Sequence, residues 1–345
     1  MNIIIAILIF GFIVIFHEFG HFIVAKSCNV RVNEFMIGLG PRLFGKKFGE
    51  TDFSIHLLPF GGACVMEGEE EDSEDNRSFQ KKPVLQRFLI VAAGPAFNFI
   101  LAYILSVVLI AGTGYTPPVV GGMIKDYPAE KAGIQKGDEI VKIDNYDVHF
   151  YQEVSYYSLF HPGKEVKLTY IHNGKKINTV LTPKMDKTTG KYLIGVSGGN
   201  VSKKANIGEC FSYGGYQVKE LVYVTIQSLK MLFTGSLGIN DMSGPVGIVK
   251  AVGDSYNKSI SYGFFTVLMQ MIYWVVLLSA NLGVVNLLPF PALDGGRLVF
   301  FLIEMFTRKK VPEKAEAIVN GIGFVILMAL MVLVMGNDIR KIFIK

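Results

Sequence analysis

Four long apolar runs dominate the polarity pattern, over about residues 3–25, 88–112, 264–288 and 317–335. Each approaches the roughly 20 apolar residues that carry an α-helix through the hydrocarbon core of a bilayer, so each is predicted to span a membrane. A shorter apolar piece, Leu298–Phe306, follows the third run and predicts a partly embedded helix. Between runs two and three the period changes. Val119–Ile124, Glu139–Ile143, Val166–His172 and Lys176–Leu181 read as strands, and Pro128–Ala132 and Phe150–Phe160 as helices. Asn173-Gly174 is a strong hairpin-turn signal between the last two strands. Residues 119–185 are thereby expected to form a compact α/β module. Residues 197–206, rich in Gly, Ser, Asn and Lys, read as a linker. Ile207–Phe233 has mixed faces, which predicts a helix on the membrane surface or one packed on the bundle. Between runs one and two, residues 52–66 alternate imperfectly around Gly61-Gly62 and predict a short hairpin or looped sheet. The acidic run Glu67–Asp75 reads as a solvated loop.

Composition agrees with a polytopic α-helical membrane protein of about four spans. Half of the 345 residues are hydrophobic and 18% are charged, which fits spans plus one small polar domain. Cys28, Cys64 and Cys210 are scattered and odd in number, so they make neither a disulfide framework nor a C-x-x-C site. The net charge of +5 comes without a basic stripe, and no nucleic-acid partner is expected. Met1-Asn2 offers no basic n-region and no small-residue cleavage site stands out, so the first run reads as a retained span, not a signal peptide.

Orientation follows from basic residues close to the span ends. Lys26, Arg31, Lys81, Lys82 and Arg87 flank the first loop, and Arg308, Lys309, Lys310 and Lys314 the loop after the third span. Both loops are expected to be cytoplasmic, with the α/β module and both termini outside. Arg340, Lys341 and Lys345 argue the other way and are outvoted.

The first span carries His17-Glu18-Phe19-Gly20-His21. Ionisable groups inside a bilayer are costly, which makes them functional candidates. At this spacing they spell H-E-x-x-H, with two histidines one helical turn apart on one face and a glutamate beside them. That arrangement suits two imidazole ligands to zinc and a base that takes a proton from an attacking water. A catalytic zinc takes a third protein ligand. The candidate is Asp294, in the stretch Asn286-Leu-Leu-Pro289-Phe-Pro291-Ala-Leu-Asp294-Gly295-Gly296. Pro289 and Pro291 end the third span, and an Asp opening the next helix serves equally well as a plain N-cap. Depth favours convergence. At 1.5 Å per residue His17 lies roughly 21 Å past Ile3, about two-thirds across a core of about 30 Å, and Asp294 arrives at the same inner side. A buried polar cluster without chemistry, or a metal or proton transporter, could also own such residues. The transporter reading would need polar groups along a whole path and an internal repeat, and neither is evident.

At these residues the chain resembles the site-2 protease family of intramembrane zinc metalloproteases, in its bacterial branch with PDZ domains that acts in regulated intramembrane proteolysis. The resemblance rests on His17-Glu18-Phe19-Gly20-His21, Leu58-Pro59-Phe60-Gly61-Gly62, Gly94-Pro95-Ala96-Phe97-Asn98, Ser243-Gly244-Pro245-Val246-Gly247 and Asn286…Asp294-Gly295, and spans nearly the whole chain. It implies Zn2+ held by His17, His21 and Asp294, with Glu18 as the catalytic base. It also implies substrate contacts at Asn98, Asn286, Gly61 and Gly62, the last two in a membrane-associated β-loop. For Asn98 and Asn286, interhelical hydrogen bonding is the competing expectation. Residues 119–185, with Gly133…Lys136-Gly137-Asp138-Glu139-Ile140, resemble a single PDZ domain. The division expected is a catalytic core over 1–118, the PDZ domain over 119–185, a linker and membrane-surface helical region over 186–261, and a second catalytic part over 262–345. The resemblance implies a multi-pass bacterial cell-membrane endopeptidase with its active site in the inner half of the bilayer and its PDZ domain extracytoplasmic. Its substrates would be single-span membrane proteins such as anti-sigma factors, remnant signal peptides or pheromone precursors. Lipid surrounds it, and the PDZ domain would take a peptide or an ectodomain. An inactive PDZ scaffold is the other alternative, and loss of Glu18 would be its mark. One PDZ domain instead of two suggests a Gram-positive-type member, and the absence of a nucleotide-binding module of the cystathionine-synthase type argues against the sporulation branch.

Overall fold

The computed structural model describes residues 2–69, 73–187, 190–198, 202–238 and 242–343. In chain order the elements are α1 (Asn2–Ser27), β1 (Val32–Phe48), β2 (Thr51–Met66), α2 (Val84–Thr113), β3 (Val120–Met123), α3 (Pro128–Lys131), β4 (Glu139–Ile143) and β5 (Tyr146–Asp147). There follow α4 (Tyr151–Phe160), β6 (Val166–His172), β7 (Lys175–Leu181), β8 (Lys184–Met185), β9 (Tyr192–Leu193), β10 (Val196–Gly198) and α5 (Ile207–Phe233). The chain closes with α6 (Pro245–Ile260), α7 (Phe264–Asn286), α8 (Asp294–Thr307) and α9 (Glu313–Phe343). Two compact units result: Met1–Leu105 with Leu237–Lys345, and Ser106–Ser236. Four helices, over Ile3–Ser27, Val84–Thr113, Phe264–Asn286 and Lys314–Lys341, are long and apolar enough to cross a membrane. They coincide with the four apolar runs. The predicted helix over Leu298–Phe306 forms as well, within α8.

In the first unit β1 and β2 pair antiparallel, and each bends back on the sheet. Residues 34–37 of β1 pair with both 52–55 and 62–65 of β2, so two long strands behave as four short ones. Gly38 and Gly40, at φ near +87°, turn the first bend, where a side chain would be strained. The 52–66 piece is therefore half of a larger sheet. Its partner, residues 32–48, carries Gly38, Gly40, Pro41 and Gly45, which mask strand periodicity. One apolar core joins Ala25, Phe35, Cys64, Met66, Phe79, Ile90 and Phe301. A second joins Ile9, Ile13, Leu101, Val252 and Val275, seating α6 against α1, α2 and α7. Arg87, 4% exposed, donates to Glu304 of α8 at 2.6 Å and to the Lys82 carbonyl at 3.1 Å. A buried charge persists only with partners of this kind. The acidic run is tethered, contrary to the solvated loop expected. Glu67 accepts from Asn33 at 2.7 Å, Glu69 from Arg297 at 2.5 Å, and Asp75 from the Arg77 backbone at 2.8 Å. Glu69 is recruited by a cation 228 residues away in the chain; residues 70–72 of the run lie outside the described residues.

In the second unit the strands order as β5-β4-β6-β7, with separate pairs β10-β3 and β8-β9. Asn173 (φ 47°) and Gly174 (φ 76°) both take positive φ, the requirement of the two-residue hairpin turn their sequence predicted. Val120, Ile140, Ile143, Val154, Leu168 and Ile194 share one core. Strand pairing runs past Met185 to Gly198, because β10 supplies the partner of β3. Asn206 caps α5 by accepting from the Glu209 amide at 2.9 Å, and Glu209 accepts from the Asn206 amide, a reciprocal box.

Within this unit Glu220 of α5 is 1% exposed and accepts from Gln152 of α4 at 3.1 Å. Burial pushes its carboxyl up to about 8, opposed by the Gln152 bond and assisted by the nearby Glu153 charge. The folded protein therefore holds the Glu220 proton more tightly than the unfolded chain. Stability is greatest below the ordinary glutamate range and falls as pH rises from about 4.5 to about 8. Melting temperatures of the detergent-solubilised protein across pH 5–9 should show this decline, and Glu220→Gln should flatten it. A slope unchanged in the variant would remove Glu220 as its source.

Candidate functional site

The helical period of α1 sets His17 and His21 on one face, with their Nε2 atoms 3.2 Å apart. Both residues are buried, at 7% and 8% exposure. The turn after α7 brings in α8, and Asp294 is its first residue. Leu293 holds the N-cap position and no side chain caps this helix, so Asp294 is not serving as the cap. Its Oδ2 lies 3.1 Å from His17 Nε2 and 3.7 Å from His21 Nε2. His17, His21 and Asp294 are the one group of metal-ligating side chains that converges among the described residues.

The fit to a metal is chemical as well as geometric. Ligand atoms about 2.0–2.1 Å from one zinc at tetrahedral angles stand roughly 3.3 Å from each other. The three separations fall around that value. Asp294 Oδ2 is buried and receives no hydrogen bond, although two ring nitrogens face it. His21 Nδ1 donates to the Ile90 carbonyl at 2.9 Å, which leaves its Nε2 as a lone pair. An unprotonated nitrogen and a carboxylate oxygen aimed at one gap repel unless a cation sits between them.

Space for the two rings comes from α2. A Cβ on Gly94 would stand 2.7 Å from His17 Cε1 and 2.5 Å from His21 Cε1, and closer still to His21 Nε2. Real Cβ contacts are never so short. Glu18, one residue from His17, turns toward β2, where the Cys64 amide donates to its Oε2 at 3.1 Å. Gly62 lies beside it: a Cβ there would stand 3.5 Å from Glu18 Cγ and 2.9 Å from the Met36 carbonyl. Gly61, at φ +87°, bends the strand just before this contact.

The structure thus brings His17, Glu18, His21, Asp294, Asn98 and Gly62 together, with Gly61 at the margin. Asn98 is fully buried, and its amide lies 3.0 Å from His17 Nδ1, on the side of the ring away from Asp294. Asn286 is the half-buried last residue of α7 and makes no hydrogen bond to these groups among the described residues. Gly295 and Gly296 let the chain pass closely at the start of α8: Cβ atoms there would strike the Leu287 and Phe290 carbonyls at 2.5 Å. Sequence reasoning missed Gly94 as the ring cradle, and missed the Ile90 carbonyl and the Cys64 amide. Gly94 was visible in Gly94-Pro95-Ala96-Phe97-Asn98. The two backbone groups carry no side-chain signal at all.

Comparisons with known proteins bear on what this arrangement does. Residues 5–330 match the family described as Peptidase family M50. A Clostridium acetobutylicum protein is 42% identical over 98% of this chain and 97% of its own. Zinc metalloprotease RasP of Bacillus licheniformis is 32% identical over the full length of both chains. Regulator of sigma-W protease RasP of Bacillus subtilis is 30% identical over 98% of both. Among solved structures, the PDZ domain of an SdrC-like protein from Listeria monocytogenes matches 23% of this chain and 84% of its own, at 29% identity and a TM-score of 0.21.

Proposed function

Because this chain belongs to peptidase family M50, the site-2 protease family, we propose that it is a zinc metalloendopeptidase that cuts single-span membrane proteins within the bilayer. The observation that carries the reading is the convergence of Asp294 Oδ2, from the start of α8, on His17 Nε2 and His21 Nε2 beside Glu18, the last three on a helix, α1, long and apolar enough to cross a membrane.

His17, His21 and Asp294 hold the zinc. When bound, the ion supplies Lewis acidity toward a carbonyl and lowers the pKa of water. Glu18 takes the proton of the attacking water and later delivers it to the leaving amine. The Cys64 amide fixes one of its oxygens, leaving the other for that exchange. A helical substrate must unwind before a peptide bond reaches this point, and its freed backbone groups then need partners. The 62–66 stretch, whose Cys64 amide already points to the site, supports adding an extended substrate strand there, and we propose that Gly61 and Gly62 contact it. Asn286, at the end of α7, is proposed to touch this extended segment.

The basic residues of the first loop and of the loop after α7 and α8 support a site in the inner half of a bacterial cell membrane, with the 119–185 PDZ domain outside. That domain filters substrates by ectodomain size or takes a peptide. A relative named as a sigma-W regulator supports anti-sigma factors as the substrate class.

The test is metal removal. The purified protein should carry about one zinc per chain and cut a model single-span substrate. A strong chelator should abolish cleavage and added zinc restore it, while Asp294→Ala should lose both metal and activity. Full cleavage by a zinc-free protein would sink the reading.

A further inference from the structure

We propose that Asn98 is a positioning residue for the metal: its side-chain carbonyl accepts the Nδ1 proton of His17 and so holds the His17 Nε2 lone pair toward the zinc. The inference rests on the metalloprotease reading and goes beyond it, because it moves Asn98 from the substrate to the back of a ligand.

Three observations carry it. First, Asn98 is 0% exposed and its amide lies 3.0 Å from His17 Nδ1, while the opposite ring nitrogen, Nε2, is the one facing Asp294 and His21. A side chain so enclosed on the far side of the ring has no surface to offer a substrate. Second, the two ring nitrogens of a neutral imidazole divide one proton, so whatever occupies Nδ1 decides what Nε2 can do. His21 has this settled by the Ile90 carbonyl, which only accepts. For His17 the corresponding partner, the one at Nδ1 among the described residues, is Asn98. Third, the amide has room for both answers. Its nitrogen and oxygen exchange places by a half-turn about Cβ–Cγ, and Oδ1 has no hydrogen-bond partner where it stands.

With Nδ2 toward the ring, Nδ1 accepts, and Nε2 carries the proton and faces Asp294 at 3.1 Å. With Oδ1 toward the ring, Nδ1 carries the proton and Nε2 becomes a ligand. The proton only changes nitrogens, so net charge is unchanged. A carboxylate in this place could only accept, and an apolar residue could do neither. The neutral amide suits a histidine that is stable before metal loading and correctly poised afterwards. Ser279 of α7 donates to the Asn98 backbone carbonyl at 2.8 Å, tying α2 to α7 at this residue without involving the ring.

That last bond provides the control. Zinc affinity would be measured by chelator competition on purified wild type, Asn98→Leu, Asn98→Asp and Ser279→Ala, each first shown to be monodisperse. Cobalt substitution would report ligand geometry from the visible spectrum. Outer partners of metal-bound histidines typically contribute about 10–100-fold in affinity. Asn98→Leu should lose zinc affinity by that factor and alter the cobalt spectrum. Asn98→Asp, which still accepts, should stay within about threefold of wild type, and so should Ser279→Ala. Asn98→Leu binding zinc like wild type while failing to cut substrate would overturn the proposal in favour of substrate contact. Equal losses in Asn98→Leu and Ser279→Ala would overturn it in favour of packing, and a tenfold loss in Asn98→Asp would remove the acceptor role. A wild type that takes up no zinc is a different result, the failure of the metalloprotease reading itself.

Discussion

Glu18→Gln should bind zinc at wild-type stoichiometry yet cut a single-span substrate at least 10²–10⁴-fold more slowly, the range that a positioned acid–base group contributes. The amide is nearly isosteric with the carboxylate, and it still accepts from the Cys64 amide that holds Oε2. The proposed ligand set of His17, His21 and Asp294 is untouched. What disappears is the ability to take a proton and return it. Zinc content by mass spectrometry, together with cleavage of the substrate in detergent or liposomes, reads the two properties separately. A variant that cuts as fast as wild type would remove Glu18 from the mechanism. Loss of zinc in the variant would instead make Glu18 part of the metal's support.

Gly94→Ala should weaken zinc binding by on the order of 100-fold or more, at or beyond the upper end of the loss typical of an outer partner. Two effects compete at this position. In a helix interior alanine is favoured over glycine by about 1 kcal/mol, so propensity alone would stabilise the variant. Against that, the new Cβ would meet both imidazoles at 2.5–2.7 Å or closer. The rings cannot withdraw without breaking the His21–Ile90 bond or the His17–Asn98 contact. The clash therefore wins for metal binding, whereas secondary structure should persist. Gly321→Ala is the matched control, since nothing lies within 4 Å of a Cβ there. The measurement is zinc affinity alongside helical circular dichroism. Retention of tight zinc in Gly94→Ala would mean that the rings have freedom the packing denies them.

Much of this molecule was legible in its sequence, for identifiable reasons. Spans announce themselves because a bilayer demands some 20 apolar residues whatever the tertiary context. The Asn173-Gly174 turn and the strands flanking it form as predicted, since a two-residue hairpin restricts its own residues. His17, Glu18 and His21 declare their relation because five consecutive helical residues fix it locally. By contrast, residues 32–48 gave no clear strand signal. Their glycines and proline are needed for the bends, and the strand is held by pairing with residues 51–66. The acidic run looked solvated because Arg297, which binds Glu69, lies more than 200 residues away.

Sequence alone determined the four long apolar helices, the H-E-x-x-H placement of two histidines and a glutamate on one of them, and the family. These are properties of local period and of residue type at fixed spacing. Only the tertiary structure decided that Asp294 faces the histidines instead of capping α8, that Gly94 makes room for both rings, and that Asn98 stands behind His17. Each depends on where α2 and α8 lie against α1. That placement is set by side-chain packing between helices far apart in the chain, to which no short stretch of sequence is sensitive.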